Sequence, residues 1–261
     1  MYAPLRNAAD CTLNQSTTQE NKSILSKSDV LNPATFITGV LAKYARTKSL
    51  VGKIVLTVSA EGKSQETTTI FQYQRPNKLY INQSRPAPKA GSWIVTSDGM
   101  LFSYPTPALV RRFKGQRMVE EVAPEHGVKL DIASMYGVTL EVLPDFSAPL
   151  SISISYRDEL VRILHRWLTM KYLGKGQIDG KEVYRIGGDY SELYNPPPTG
   201  KYEIDITPSG NIKRYSVQEY IGVPKTSKIK APPVLVTEVW NCNLQRNAEP
   251  KASLFKVLLN H

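Results

Sequence analysis

Long apolar runs, cysteine and histidine are all scarce in this sequence of 261 residues. No run approaches the roughly 18 to 20 apolar residues that a membrane-spanning helix needs. Two cysteines cannot build a disulfide-dense miniature scaffold or a four-thiolate zinc site. Histidine occurs only as His126, His165 and His261, which disfavours a multi-histidine metal centre. We therefore expect neither a metal ion nor a cofactor.

Short catalytic and nucleotide-binding motifs are also missing. The chain has no Gly-x-Ser-x-Gly elbow, no Walker-type phosphate loop, no His-Glu-x-x-His and no Cys-x-x-Cys. Catalytic triads are assembled in space and can be hidden by sequence order, so an enzyme remains a minor alternative. The sequence favours a protein without enzymatic activity, and it indicates no catalytic residue.

Positive charge exceeds negative charge, with 33 lysines and arginines against 23 acidic residues and a formal net charge of +10. Such an excess is compatible with an acidic partner, either nucleic acid or an anionic lipid surface. The basic residues are spread along the chain, and only Arg111–Arg112 with Lys114 and the segment 225–230 are mildly clustered. A solvated basic face is favoured over a nucleic-acid interface, and charge alone does not decide the function.

Residues 1–28 are predicted to be a flexible leader, because residues 12–28 are polar and nearly free of apolar side chains. It has no basic segment followed by an apolar core, so we expect no secretion signal within these residues. Cys11 lies in this leader, whereas Cys242 lies near the end of a predicted strand. In an oxidising compartment a disulfide between them would tie the leader to the sheet. Two unrelated thiols, with Cys242 buried, are the open alternative.

Apolar periodicity predicts one helix and then a meander of strands in the first half of the chain. Asn32 can cap a helix that begins at Pro33, and the apolar residues after it recur at helical spacing. From Leu50 the period changes to two, and the first strand follows. Further strands are expected at 66–74, 79–83, 93–96 and 101–104.

The middle of the chain, residues 107–167, breaks this pattern and is predicted to be an irregular and partly helical insertion. Short helices are expected at 116–122 and 128–136, and a strongly amphipathic helix at 155–168. Strands resume at 170–174, 182–187, 201–207, 211–219, 234–243 and 254–258. Because neighbouring strands joined by tight turns pair antiparallel, we expect a single curved antiparallel sheet with helices against one face. No linker divides residues 29–261, which are predicted to form one domain.

Three motifs between residues 70 and 113 resemble those of a known family. They are Arg75-Pro76-Asn77-Lys78-Leu79 at a strand break, Ile94-Val95-Thr96-Ser97-Asp98-Gly99 at a turn, and the aromatic strand Leu101-Phe102-Ser103-Tyr104-Pro105. In this order and spacing they resemble the periplasmic outer-membrane lipoprotein carriers, the LolA-like superfamily. Residues 30–113 match that pattern well and 168–258 match it loosely, and the segment 173–186 looks like that of uncharacterised exported relatives of the superfamily. The longer middle segment has no counterpart in the small carriers.

This resemblance implies a mainly β protein of the α+β class, in which one strongly curved antiparallel sheet forms an incomplete barrel covered by helices. Acyl chains would lie in an apolar cavity beneath the helices. Arg75 matches by position the arginine that hydrogen-bonds to the lid in those carriers, although a surface arginine at a strand end is the equally weighted alternative. Side chains alternate across a strand, so about half of the expected cavity residues would be ordinary packing. These expected residues are Ile54, Leu56, Val58, Phe71, Tyr73, Leu79, Ile81, Trp93 and Val95.

We therefore expect a non-enzymatic, extracytoplasmic carrier or binding protein for a lipid or lipidated ligand. Its partners would be the acylated ligand and, through its basic surface, an anionic membrane or an acidic protein, with no nucleic acid. The alternative is a sensor or interaction module that uses the same concave sheet to bind a peptide or protein.

Overall fold

Eleven strands form one open antiparallel sheet in the computed structural model, which describes residues 31–87, 90–105, 117–125, 127, 129–191, 197–222 and 232–257. The helices are α1 Pro33–Ala45, α2 Ile132–Thr139, α3 Ala148–Ile154 and α4 Arg157–Arg166, and a short 3-10 helix covers Ala252–Phe255. The strands are β1 Ser49–Ala60, β2 Lys63–Gln74, β3 Lys78–Arg85, β4 Gly91–Asp98, β5 Leu101–Pro105, β6 Arg117–Glu121, β7 Lys171–Ile178, β8 Lys181–Tyr190, β9 Gly200–Ile206, β10 Ile212–Ile221 and β11 Val234–Arg246.

The strand order is β6-β5-β4-β3-β2-β1-β11-β10-β9-β8-β7, so two meanders meet at the pair β1–β11. This pair runs antiparallel from Leu50 opposite Arg246 to Ala60 opposite Val236. Strands β6 and β7 are the two edges and do not pair with each other, which leaves the barrel incomplete. The predicted fold class, a mainly β protein with one curved antiparallel sheet and covering helices, is confirmed.

One face of the sheet, which we call the inward face, carries the core. Leu50, Ile54 and Phe71 lie on this face and are 0–1% exposed. The period of two in β1 and β2 produces this face, since successive side chains of a strand point to opposite sides. Buried side chains of the four helices pack against it and complete a single apolar core.

Helix α3 is buried along its whole length, although its sequence alternates serine with isoleucine. The hydroxyls of Ser151 and Ser153 donate to the carbonyls of Ser147 (3.2 Å) and Pro149 (2.6 Å), one helical turn earlier. The Tyr73 hydroxyl of β2 donates to the carbonyl of Ser153 at 3.0 Å. Because these polar atoms are satisfied locally, the helix can lie inside the protein without a desolvation penalty.

The outward face contains one deeply buried charge. Asp205 of β9 has no exposed surface and lies in register between Arg185 of β8 and Arg214 of β10. The Nε atoms of Arg185 and Arg214 donate to its carboxylate at 3.0 and 2.8 Å. Two charge-assisted hydrogen bonds thus compensate the burial of this carboxylate across three neighbouring strands.

Two local predictions are wrong. The segment expected to be a helix at 116–122 contains strand β6, where Leu101 lies opposite Glu121 and Pro105 opposite Arg117. Of the strand expected at 254–258, residues 254–255 belong to the 3-10 helix instead, and residues 256–257 form no strand. In both places a pattern of only a few residues was outweighed by tertiary pairing and packing.

Helix α2 begins at Ile132, where the Asp131 side chain accepts from the Ser134 N–H at 2.8 Å.

Gly188 of β8 is required by a close approach of the backbone, and its substitution tests the packing at this edge. A Cβ at this position would lie 2.2 Å from the carbonyl oxygen of Thr169. We expect Gly188→Ala to lower the free energy of unfolding by about 1 to 3 kcal/mol, because overpacking forces the backbone to shift. Gly39→Ala is the control, since Gly39 lies in α1 with nothing within 4 Å of its Cβ position. Urea unfolding should show that this control is neutral or more stable by up to about 1 kcal/mol, and equal effects of the two variants would contradict the prediction.

Buried tyrosines predict a loss of stability in alkali. Burial raises the pKa of Tyr44, Tyr136 and Tyr202 above the ordinary value of 10.0. These phenols therefore ionise first in the unfolded chain, so their contribution is intact below pH 10.0 and is lost as the pH rises above it. Urea unfolding over a pH series should show this decline. Tyr136→Phe should make it shallower by up to about 1.4 kcal/mol per pH unit, and an unchanged slope would contradict a neutral buried phenol at this position.

Candidate functional site

A cleft of about 960 Å³ opens between the inward face of the sheet and the helical layer. Its floor is formed by β1, β10 and β11. Its roof is formed by α4 and by the segment that follows α2. The apolar side chains of the lining are Leu56, Val58, Leu140, Leu143, Phe146, Val217, Ile221, Val236 and Trp240.

Strand register explains why these residues meet on the floor of the cleft. Leu56 of β1 lies opposite Trp240 of β11, and Trp240 lies opposite Tyr215 of β10. This row is apolar and closely packed, with the rings of Tyr215 and Trp240 5.3 Å apart. The next row places Val58 opposite Glu238, so the floor changes from apolar to charged along the strands.

Charged side chains line the same cleft, and carboxylates outnumber arginines among them. The carboxylates are Glu141, Asp145, Glu159, Glu219 and Glu238, and the arginines are Arg162 and Arg166. Val217 of β10 lies opposite Glu238 of β11, and Glu219 is the next residue of β10 on the same face. Glu219 and Glu238 are therefore diagonal neighbours.

The segment after α2 is anchored to the sheet at Asp145. Arg85 of β3 forms a two-point ion pair with the Asp145 carboxylate, in which Nε donates at 2.8 Å and Nη2 makes the second contact. Thr67 of β2 donates to the same carboxylate at 2.5 Å. The Gln83 side chain exchanges hydrogen bonds with the Asp145 backbone at 2.9 and 3.0 Å. This wall of the cleft is therefore held rigidly on β2 and β3.

Two other carboxylates are held by neighbouring side chains. Glu159 of α4 is buried and pairs with Arg162 one turn later at 2.7 Å. Glu219 is also buried, and the Thr199 hydroxyl donates to it. Both charges thus remain in the lining at fixed positions.

The predicted cavity residues are divided by the structure. Leu56 and Val58 line the cleft. Trp93 is half-buried, with the Arg85 guanidinium 6.0 Å from its ring centre. The remaining six lie on the inward face, are 0–1% exposed and pack in the core outside the cleft lining: Ile54, Phe71, Tyr73, Leu79, Ile81 and Val95. Tyr73 shows the reason, because its hydroxyl meets α3, a helix that fills space the sequence suggested was open.

Most of the cleft lining was missed by sequence reasoning. Val217, Glu219 and Ile221 follow a period of two in β10, so this strand carried the signal that was used for β1. Glu238 and Trp240 carry the same signal in β11. The contributions of α4 and of residues 140–146 depend on chain packing and have no local signature.

Arg75 connects two parts of the helical side of the protein. Its Nη2 donates to the carbonyl of Ile154 at the end of α3 at 2.9 Å, and its Nε donates to the carbonyl of Thr47 at 3.0 Å. Its guanidinium also lies 5.4 Å from the ring centre of Tyr73. Arg75 therefore contacts the helical layer through a carbonyl at a helix end, and its role in opening that layer stays a prediction.

Cys242 is buried on the inward face, and its Sγ lies 3.7 Å from the carbonyl oxygen of Trp240. Burial raises the pKa of this thiol. Cys11 and the predicted leader, residues 1–28, lie outside the described residues, so the disulfide and the leader stay predictions.

Among the described residues, no group of three or more His, Cys, Asp and Glu side chains could hold a metal ion. The same part of the chain contains no helix with the length and hydropathy needed to cross a membrane.

Comparisons with known proteins give likenesses of fold. No protein-family model matches the sequence, and no curated protein matches it at a significant level. The structure is similar to that of the Pseudomonas aeruginosa MucA/MucB complex, with a TM-score of 0.41, 8% identity and coverage of 87% of this chain and 61% of that chain. This chain thus spans about three fifths of the length of that relative.

Two further likenesses cover nearly the whole of the other chain. Lipoprotein LppX of Mycobacterium tuberculosis matches with a TM-score of 0.41 and 10% identity over 85% of this chain and 99% of that chain. A LolA superfamily protein of Nitrosomonas europaea matches with a TM-score of 0.29 and 8% identity over 84% and 96%. At these TM-scores the likenesses describe the fold and assign no ligand, partner or activity.

Substitution of Arg75 tests its contact with the helical layer. We expect Arg75→Leu to lower the free energy of unfolding by about 1.5 to 3 kcal/mol, because two carbonyls lose a charged donor. Amide hydrogen exchange should also become faster in α3 and α4. Arg46→Leu is the matched control, since the Arg46 Nε donates only within α1 and is exposed. If both variants left exchange in α3 and α4 unchanged, the connecting role of Arg75 would be refuted.

Proposed function

We propose that the protein is a non-enzymatic, extracytoplasmic binding protein that carries a lipid or lipidated ligand, with the apolar part of the ligand in the cleft. The single observation that carries this proposal is the cleft of about 960 Å³ lined by leucine, valine, phenylalanine and tryptophan side chains. The extracytoplasmic location rests on the resemblance of the motifs at 75–105 to periplasmic carriers.

The size and lining of the cleft support an amphiphilic ligand. Pockets for small molecules typically have volumes of about 300 to 1,000 Å³ and a mainly apolar lining with a few polar groups. Each methylene group transferred from water into such a lining gains about 0.8 kcal/mol. Val58, Leu140 and Leu143 offer this apolar contact, while the charged residues beside them would bind a polar head.

Exposed apolar residues at the strand ends support transfer of such a ligand. Tyr220 and Ile221 of β10 line the cleft and are 60% and 55% exposed. Leu235 of β11 pairs with Tyr220 and is 42% exposed. An acyl chain that leaves a membrane or a donor protein would thus meet apolar surface before it enters the cleft.

Release would require the helical layer to move. Helices α3 and α4 are joined directly at Ser155 and Tyr156, so they would move together. Arg75 holds the end of α3 through the Ile154 carbonyl. Breaking this contact is the step at which a partner or a membrane would regulate hand-over.

The alternative function, an interaction module for a peptide or protein, has one observation in its favour. Six of the nine predicted cavity residues are packed in the core. The part of the sheet that forms the floor of the cleft is therefore limited to β1, β10 and β11. With the exposed residues Tyr220, Ile221 and Leu235 at its mouth, this narrower site could hold apolar side chains of a peptide.

Lipid extraction followed by mass spectrometry of the purified protein distinguishes these functions. We expect co-purified lipid with the wild-type protein and much less with Val58→Trp, because the indole would occupy the cleft. Val55→Trp places the same side chain on the opposite face of β1, where Val55 is half-buried, and should retain the lipid. Absence of lipid from the wild-type protein, together with failure to take up added fatty acid, would refute the carrier and favour the interaction module.

A further inference from the structure

The ends of β10 and β11 form an exposed apolar surface beside the mouth of the cleft. Tyr220 of β10 lies opposite Leu235 of β11, and these two side chains and Ile221 are all exposed. Neighbouring exposed apolar side chains, unlike scattered ones, indicate a surface that meets an apolar partner. We call this surface the β10–β11 tip, and its exposed residues are Tyr220, Ile221, Gly222, Pro232, Pro233 and Leu235.

The charge around the β10–β11 tip has one sign. Residues 220–236 contain three lysines, Lys225, Lys228 and Lys230, and no aspartate or glutamate. The lysines belong to the connection 223–231, which lies outside the described residues. Each of them is at most four residues from Gly222 or Pro232 along the chain, so covalent geometry keeps its positive charge close to the tip.

Apolar side chains next to positive charge match the surface of an anionic bilayer, which presents negative head groups above hydrocarbon. Tyrosine is enriched at this depth of a membrane, because its ring is apolar and its hydroxyl is polar. A nucleic acid would use the positive charge but would leave Ile221 and Leu235 in water. The net charge of +10 adds attraction to an anionic surface at long range.

We propose that the β10–β11 tip docks on a lipid bilayer that contains anionic lipids. Tyr220, Ile221 and Leu235 enter the head-group region, and the positive charge near the tip holds the protein on the surface. Because Tyr220 and Ile221 also line the cleft, docking turns the mouth of the cleft toward the bilayer. This inference goes beyond the proposed function, since the tip can dock whether or not the cleft holds a lipid.

Co-sedimentation with large unilamellar vesicles tests the docking. One set of vesicles consists of phosphatidylcholine, and the other contains in addition about one third phosphatidylglycerol, which is anionic. We expect the wild-type protein to bind the anionic vesicles at least about tenfold more tightly, and added salt to reduce this difference. Equal binding to the two sets, or binding to neither, would overturn the anionic bilayer as the partner.

Substitutions of Ile221 test whether the tip is the part that docks. Ile221→Gln should weaken binding to the anionic vesicles about fivefold, because an apolar side chain is lost from the contact. Ile221→Glu has nearly the same shape as Ile221→Gln but adds a negative charge. It should weaken this binding about fivefold further and differ little from Ile221→Gln on phosphatidylcholine.

Ile70 of β2 provides matched controls, since it is an exposed isoleucine on the outward face. Ile70→Gln and Ile70→Glu change polarity and net charge by the same amounts as the Ile221 variants. We expect both to bind the anionic vesicles within about twofold of the wild-type protein. If the two pairs of variants weakened binding equally, the attraction would belong to the chain as a whole and docking by the tip would be refuted.

Urea unfolding shows whether the variants fold, and Leu235→Gln with Leu235→Glu replaces the Ile221 pair if they do not. Lipid extraction separates this inference from the proposed function. Co-purified lipid in a protein that does not bind anionic vesicles would overturn the docking and support the carrier. Binding to these vesicles through the tip, by a protein that neither co-purifies with lipid nor takes up fatty acid, would support the docking and overturn the carrier.

Discussion

The antiparallel pairing of β1 with β11 is the constraint on which the rest of the structure depends. It joins the two meanders, so it unites strands from opposite ends of the described chain. It also brings Leu56 opposite Trp240 and Val58 opposite Glu238. A register slip of one residue would turn every side chain of a strand to the other face. Both the apolar core and the charged end of the cleft therefore follow from this single register.

Helix α3 determines which part of the inward face remains open. Its seven residues are all buried, and its serines satisfy their hydroxyls within the helix. The helix contacts Tyr73 of β2 and Arg75, the residue that follows this strand, on the side of the sheet where the predicted cavity residues are packed. The open space is consequently displaced toward β10 and β11. Glu219 and Glu238 are part of its lining as a result of this displacement, because they belong to those two strands.

The sequence was a good guide wherever the signal was periodic and repeated. The helix at Pro33, the strands on both sides of the middle segment and the antiparallel class all followed from spacing and turn residues. Arg75 was singled out by a motif, and its side chain reaches the helical layer at the Ile154 carbonyl.

The sequence was a poor guide where a short segment takes its structure from its surroundings. Ser-Ile alternation in 151–154 favours a strand by period, yet these residues form the end of α3 because their hydroxyls bond to the preceding turn. Residues 117–121 form a strand because β5 offers an edge to pair with. The composition of the cleft depends on which strand faces which helix. A single sequence does not contain that information in local form.

The position of α2, α3 and α4 along the chain limits how the binding site can be exposed. These helices lie between β6 and β7, the two edge strands of the sheet. The chain therefore connects the layer formed by these three helices to both edge strands of the sheet. It cannot swing away about one hinge as a flap would. Opening of the cleft must combine a lateral shift of the helices with separation of the two edge strands. Ligand access is therefore sensitive to any partner that binds either edge strand.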